Sequence, residues 1–469
     1  MPGDNNEGRL VVVSNRVAVP RAGKAASGGL AVAVNSALTA RGGVWFGWNG
    51  RQAATRPERP RRQRHENVDY VTLPLSSVDY EDYYKGFANR VLWPLFHYRL
   101  SLLTYRRRFE EGYRRVNAWF AEHLMHFLEP GDTLWVHDYH LVPIAAEVRA
   151  RGFRGRIGFF LHTPFPPLDL LWSLPAHREF LHWMCAYDLV GFQTEVDRHA
   201  FVDAVLRDIG ARRKGRERVT VGGRDVTTGV FPIGTDVDEI ATQARRGRNS
   251  RAVATLKASL EGRRLIIGAD RLDYSKGLLE RFRAYQNLLG AHPELHGDIV
   301  YLQVAEPSRS EVPEYQEIRH QLDQVAGEII GRYARFDWMP ARYLSRRMPR
   351  ATLLAFLSVA RVALVTPLRD GMNLVAKEFV AAQDPEDPGV LVLSEMAGAA
   401  RQLDEALLVN PYDVEGTGEA IAEGLAMPLE ERRRRWESLM QTVRKNDIRA
   451  WSRQFLRALA GASARSEPR

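Results

Sequence analysis

With a single cysteine, Cys185, among its 469 residues, the chain can form neither an internal disulfide nor a thiolate metal cage. No apolar run approaches the roughly 20 residues that a membrane-spanning helix needs, and the segment from Met1 to Gly8 is polar, without a hydrophobic signal region. Heptads and short-period repeats are also missing, which argues against a coiled coil or a solenoid. These absences predict a soluble protein of the cytoplasm with no membrane partner. What is abundant is arginine, and the formal net charge is +9. A basic chain attracts anions, whether nucleic acid or phosphorylated metabolites. Three arginine clumps, Arg51 to Arg64, Ser345 to Arg350 and the ERRRRW run ending at Trp436, interleave no aromatic residues that would stack on bases. They read as solvated surface, so only weak, salt-labile association with nucleic acid is expected, and no specific one.

A hydrophobic content of 45% over this length supports two or three cores. Short apolar runs alternate with longer segments of helical period, the pattern of parallel sheets covered by helices, an α/β fold. The predicted strands are 10–14, 134–137, 157–161, 188–192, 265–269, 299–305, 362–367 and 390–394, each nearly all apolar, as strands buried on both faces are. A polar, arginine-rich stretch from about Gly234 to Arg263 separates two groups of strands and predicts a domain boundary near residue 245. Two such halves, 1–245 and 246–452, would face a central cleft with the carboxyl ends of their strands, where ligands of parallel sheets bind.

Functional candidates are therefore sought just after strands. In LIIGADRLDYSKGLLERF a strand leads through a loop carrying Arg271 and Lys276 into a helix. Two cations there suit a diphosphate, Arg as a planar fork and Lys as a compact charge; a surface ion pair with Asp273 or Glu280 is the plainer alternative. VALVTPLRDGMNLVAKEF repeats the layout, with Asp370 in a tight loop and Asn373 as a plausible helix N-cap. The amides of Leu374, Val375 and Ala376 would then face an anion, and Asp370 and Glu378 can each accept two hydrogen bonds from sugar hydroxyls. Arg16 ends the first predicted strand, and Gly28 and Gly29 precede a helix start, where glycine permits close approach to phosphate or sugar. Asp138 and His162 sit at two further strand ends, the latter before a proline-stiffened loop. Tyr84 and Trp93 lie in an aromatic stretch and Arg319 on a helix; sugar stacking and phosphate binding compete there with core packing. No compact spacing of His and acidic residues suggests a metal.

Together, SNR, SGGLAV, WFGWNG, VLWPLFHYR, HDYHL, GFFLH.PFP, GFQTE.DR, RLDYSKG, IRHQL, TPLRDGMNLVAKE, VLVLSE.AGAA and VNPYD, in order from about residue 10 to 455, resemble the trehalose-6-phosphate synthase family. The resemblance implies a two-domain GT-B fold of two Rossmann-like domains, with a C-terminal helix at about 453–469 returning to the first. It implies a retaining glucosyl transfer from UDP-glucose to glucose 6-phosphate, without cofactor or metal, by a homo-oligomer, dimer or tetramer. Carried over by position, Arg16, Tyr84 and Arg319 grip the acceptor phosphate and Asp138 its sugar. Gly28 and Gly29 form a donor loop, and Arg271 and Lys276 hold the diphosphate. The stretch Leu374, Val375, Ala376, Lys377 and Glu378 provides amides and a ribose carboxylate, while Asp370 and His162 touch the donor glucose. Trp93 lies near the anomeric centre.

Two departures stand out. Thr163 replaces the isoleucine of the family's HIPFP, in a region tied to anomer selectivity, and Met348 stands where the family has a phenylalanine whose backbone meets uracil. The same phosphate-binding set would serve a relative using glycerol 3-phosphate, while a non-catalytic sugar-phosphate sensor should lose parts of the donor set, which is intact here.

Overall fold

The computed structural model describes residues 8–20, 34–35, 37–39, 41–309 and 312–462, so the predicted loop at Gly28 and Gly29 lies outside the described residues. Two compact units emerge: Met1–Pro232 with Ile448–Arg469, and Ile233–Asp447.

The first unit is built on ten strands: β1 (Leu10–Arg16), β2 (Gly43–Ala53), β3 (Arg61–His65), β4 (Val68–Ser76), β5 (Thr133–His137), β6 (Arg156–Phe160), β7 (Leu189–Phe192), β8 (Arg212–Arg213), β9 (Arg218–Val221) and β10 (Arg224–Val230). Their order is β3-β4-β2-β1-β5-β6-β7-β10-β9-β8, parallel from β4 to β10 and antiparallel at both edges. Apolar runs mark β1, β5, β6 and β7, as expected. The strand β2 escapes that signal because glycines and an asparagine interrupt its apolar residues. At Gly43 and Gly47 the backbone turns to φ 140° and 156°, and a Cβ would come within 2.1 Å of the Leu10 carbonyl oxygen and 2.0 Å of that of Ser14. Only glycine admits β1 that closely.

The second unit holds six strands: β11 (Arg264–Arg271), β12 (Ile299–Glu306), β13 (Ala341–Leu344), β14 (Val362–Val365), β15 (Val390–Ser394) and β16 (Leu407–Val409). All are parallel, in the order β13-β12-β11-β14-β15-β16. In each sheet the first strand is flanked by its successors on opposite sides. That arrangement opens a crevice at the carboxyl ends of β1 and β5, and of β11 and β14.

The units divide after Pro232 rather than near 245. The arginine-rich stretch forms two helices, Val237–Gly247 and Arg251–Leu260, and buried Val237, Ile240 and Ala244 pack the first on the second unit's helices Arg350–Leu357 and Leu374–Ala382. Its polarity is that of an exposed helix face, which composition alone does not distinguish from a linker. The chain rejoins the first unit at Ile448, ahead of the expected 453, because Ile448, Trp451, Phe455 and Leu459 form one buried face of the helix Ile448–Gly461. Phe455 settles over Gly158 and Gly191, where a Cβ would approach its ring to 2.8 and 2.7 Å. No helix among the described residues is long and apolar enough to cross a membrane.

Candidate active site

In the first unit the sheet's carboxyl edge carries a line of aromatic rings that starts at a cation. Arg16, exposed at the end of β1, places its guanidinium 5.9 Å from the Trp48 ring centre. Trp48 lies 5.1 Å from Tyr84, which stacks at 6.1 Å on His140; His140 stacks on Tyr139 at 4.0 Å, and Tyr139 lies 5.9 Å from Trp93. Tyr84 projects from Tyr80–Leu92, a π-helix, a geometry frequent at functional sites. Trp93 is 6% exposed and rests on His97 at 4.0 Å. The tryptophan at 48 was not singled out in the sequence, although its WFGWNG motif was.

Asp138 follows β5 with φ 74° and ψ 162°, a conformation costing a non-glycine residue about 1–3 kcal/mol. Its Oδ1 accepts from the His162 amide at 3.3 Å, and its own amide donates to the Phe160 carbonyl at 2.8 Å, which ties the ends of β5 and β6 together. His162 is half-buried, and its Nε2 lies 3.1 Å from His137 Nδ1. Burial pushes the His162 pKa down to about 3, so the ring is neutral at physiological pH. Thr163 is buried, and its hydroxyl has no hydrogen-bond partner among the described residues.

In the second unit Arg271 ends β11, exposed, and Lys276 closes a tight turn, Tyr274–Lys276, with its side chain buried. Gly277 follows with φ 63°; a Cβ there would meet the Thr366 carbonyl at 2.2 Å, so the turn into the helix Leu278–Ala291 requires glycine. Beneath it Arg281, fully buried, donates to Asp270 at 2.9 Å, Gln303 at 3.0 Å, Thr366 at 3.0 Å and the Lys276 carbonyl at 3.3 Å. Burial raises the Asp270 pKa against the pull of Arg281. This network fixes the height of the Lys276 loop.

The Lys276 ammonium pairs with the Asp370 carboxylate, which also accepts from Asn373 Nδ2 at 3.1 Å. Asn373, at φ 73°, caps the helix Leu374–Ala382 as expected, its Oδ1 accepting the Val375 amide at 3.1 Å. That amide is thus engaged by the cap. Glu378 is held by Arg350 at 2.9 Å, and burial raises its pKa. Met348 lies in the loop between β13 and the helix Arg350–Leu357.

Two further candidates lie on helices, Lys377 on Leu374–Ala382 and Arg319 on Pro313–Tyr333. Lys377 turns into the interior, its Nζ donating to the Ile233 carbonyl at 2.7 Å and Gln402 Oε1 at 2.6 Å, because helical period sets it on the packed face between Ala376 and Val380. Its ammonium is not presented to a ligand. Arg319 is exposed on the helix Pro313–Tyr333, where its charge acts on Tyr343 of β13. Beside the Lys276 loop stands Arg309, just beyond β12, with φ 49° and its guanidinium 3.2 Å from Asp273 Oδ2. Asp273 also accepts from Tyr315 at 2.8 Å and caps Ser275 at 3.0 Å. The strained backbone at Arg309 is invisible in sequence; its place after a strand was the available signal.

Two cations, a carboxylate and a helix start thus lie together at the ends of β11 and β14, groups whose chemistry suits phosphate and sugar hydroxyls. Among the described residues no group of three or more His, Cys, Asp or Glu is arranged to hold a metal ion. Residues 8–461 match the profile of Glycosyltransferase family 20. The chain belongs to glycosyltransferase family 20. It is 48% identical over 460 residues to a trehalose-6-phosphate synthase of Klebsiella pneumoniae, covering 98% of this chain and 96% of that one. A relative from Sinorhizobium fredii with the same name is 47% identical over 460 residues. Among solved structures, the UDP-forming α,α-trehalose-phosphate synthase of Burkholderia xenovorans in complex with glucose 6-phosphate superposes with a TM-score of 0.94 at 47% identity, over 97% of this chain and 100% of that one. A structure described as trehalose-6-phosphate from E. coli bound with UDP-2-fluoro glucose gives 0.93 at 46% identity, over 98% and 100%. The α/β architecture of two mostly parallel sheets is thus the GT-B fold of this family.

Proposed function

We propose that the protein transfers glucose from UDP-glucose to the anomeric hydroxyl of glucose 6-phosphate with retention, releasing UDP and α,α-trehalose 6-phosphate. The observation that carries the proposal is the Lys276–Asp370 pair set between Arg271 and the start of the helix Leu374–Ala382. Arg271 and Lys276 receive the diphosphate. Glucose hydroxyls take over Asp370 and His162, and Glu378 receives the ribose. The backbone at Met348 faces the uracil. On the acceptor side Arg16, Tyr84 and Trp48 hold the phosphate, and Asp138 holds the sugar. Trp93 and Thr163 shape the place of its anomeric carbon.

During transfer the bond from glucose C1 to the diphosphate oxygen breaks, and its electron pair stays on the departing UDP. Fixed positive groups aimed at that charge supply the main acceleration. The acceptor oxygen forms its bond to C1 on the face the phosphate leaves, and its proton passes to the departing phosphate oxygen. The cations stand where a divalent metal would otherwise neutralise charge, so chelation by EDTA should leave turnover unchanged.

UDP release tests this reading. Offered UDP-glucose, the protein should release UDP with glucose 6-phosphate and not with glycerol 3-phosphate. Release with neither acceptor would contradict an enzymatic role.

A further inference from the structure

Behind His162 lies a buried cluster that sugar binding does not account for. His137, the last residue of β5, is fully buried, and Trp135 shares its face of the strand with ring centres 4.5 Å apart. From the helix Ile448–Gly461, Trp451 reaches in to 5.0 Å from Trp135, 6.2 Å from His137 and 6.1 Å from His162. Three ring nitrogens here, Trp135 Nε1, Trp451 Nε1 and His137 Nε2, are buried without a hydrogen-bond partner among the described residues. Buried polar atoms in folded proteins are paired, with protein or with ordered water. An indole N–H only donates, whereas an imidazole nitrogen either donates or accepts. Two unpartnered donors buried in one cluster need an acceptor. A water molecule supplies two lone pairs for the indoles and returns one of its own protons to a nitrogen that can accept it.

We propose that an internal water held by Trp135 Nε1, Trp451 Nε1 and His137 Nε2 fixes the tautomer of His137 and, through it, that of His162, which makes His137 a positioning residue for the sugar contact. With Nε2 accepting from the water, His137 carries its proton on Nδ1 and donates to His162 Nε2. His162 then carries its own proton on Nδ1 and presents a donor, not an acceptor, to a sugar oxygen. The reverse order would set an imidazole N–H against two indole N–H groups. Burial holds both rings neutral, which keeps the chain of donors intact. The C-terminal helix thereby contributes to the site through Trp451 although it carries none of the proposed ligand contacts. The inference rests on the reading of His162 as a glucose contact, but its test does not.

The experiment is long-range proton–nitrogen NMR of the full chain labelled with ¹⁵N in histidine, with signals assigned by their loss in His137→Gln and His162→Asn. Both rings should be neutral from pH 6 to 8 with the proton on Nδ1. A proton on Nε2 of either ring overturns the proposal. Because His137→Gln also removes a buried ring from the packing, Trp451→Phe gives a second reading: the loss of one indole donor should shift the His162 tautomer ratio. An unchanged ratio counts against the water. If the tautomers are as stated and His162→Asn leaves kcat and KM for UDP-glucose untouched, the sugar-contact reading fails while the hydrogen-bond chain stands.

Discussion

At the scale of single residues, Thr163 and Lys377 carry opposite burdens. The Thr163 hydroxyl is buried without a partner, and an unsatisfied buried group of this kind costs about 1–3 kcal/mol. Thr163→Val should raise the thermal midpoint by roughly 1 kcal/mol of stability, and a comparable fall would show that the hydroxyl is paired. Lys377 donates two hydrogen bonds but is desolvated, which lowers its pKa to about 7 from its usual value. The unfolded chain therefore holds a proton that the folded one lacks between about pH 7 and the ordinary lysine range near 10.4. Stability gained from this residue rises with pH across that window, by at most about 1.4 kcal/mol per unit. Wild type should gain on Lys377→Met in midpoint as pH goes from 7 to 10; a constant difference would show that the lysine does not titrate there. Neither environment could be read from the sequence. Lys377 stands in a helix among candidate ligands, and only the packing of that helix against Ile233 and Gln402 turns its ammonium inward.

At the scale of elements, the turn between β11 and its helix is held from below by Arg281, and its geometry depends on that buried ion pair. Removing one partner of a buried pair strands the other, at about 3–5 kcal/mol. Arg281→Met should destabilise by that order and raise KM for UDP-glucose, because the Lys276 carbonyl loses its anchor. The double variant Arg281→Met with Asp270→Leu should recover much of the stability but not the KM, and denaturant unfolding alongside kinetics separates the two. Recovery of both would mean that the pair does not position Lys276. The strand, the loop cations and the following helix of this element were legible from one apolar run and one helical stripe. The ion pair was not, because Arg281 occupies a helix position where sequence predicts a solvated charge. The same limits hid β2, whose glycines and asparagine interrupt its apolar residues, and β3, whose Arg61, Arg62 and Arg64 give no apolar signal at a sheet edge. Asn373 was read as a cap because its residue type and position suffice, whereas Arg309 depends on a backbone angle that no residue type announces.

At the scale of the whole molecule, part of each arginine clump is paired with acids within the fold. Arg56 pairs with Asp79 and Arg62 with Asp69; Arg432 pairs with Asp387, Arg433 with Glu386, and Arg434 and Arg435 with Glu431. Such pairs lower the charge that the clumps offer a polyanion, so any association with duplex DNA should vanish at physiological salt. The units themselves were evident as two series of strands, but their seams were not: the chain changes unit after Pro232 and again at Ile448, at ends set by buried helix faces rather than by composition. Arg271→Ala combined with Lys276→Ala should cut turnover by about 100-fold or more with the thermal midpoint nearly unchanged, because the loss falls on charge that develops only during transfer. The central claim, retaining transfer between two glucose units, is tested most directly by NMR of the product formed from UDP-glucose and glucose 6-phosphate. The account predicts one product, a 6-phosphorylated disaccharide joined through both anomeric carbons in the α,α configuration; a β-linked product, or a linkage through any other acceptor hydroxyl, would contradict it.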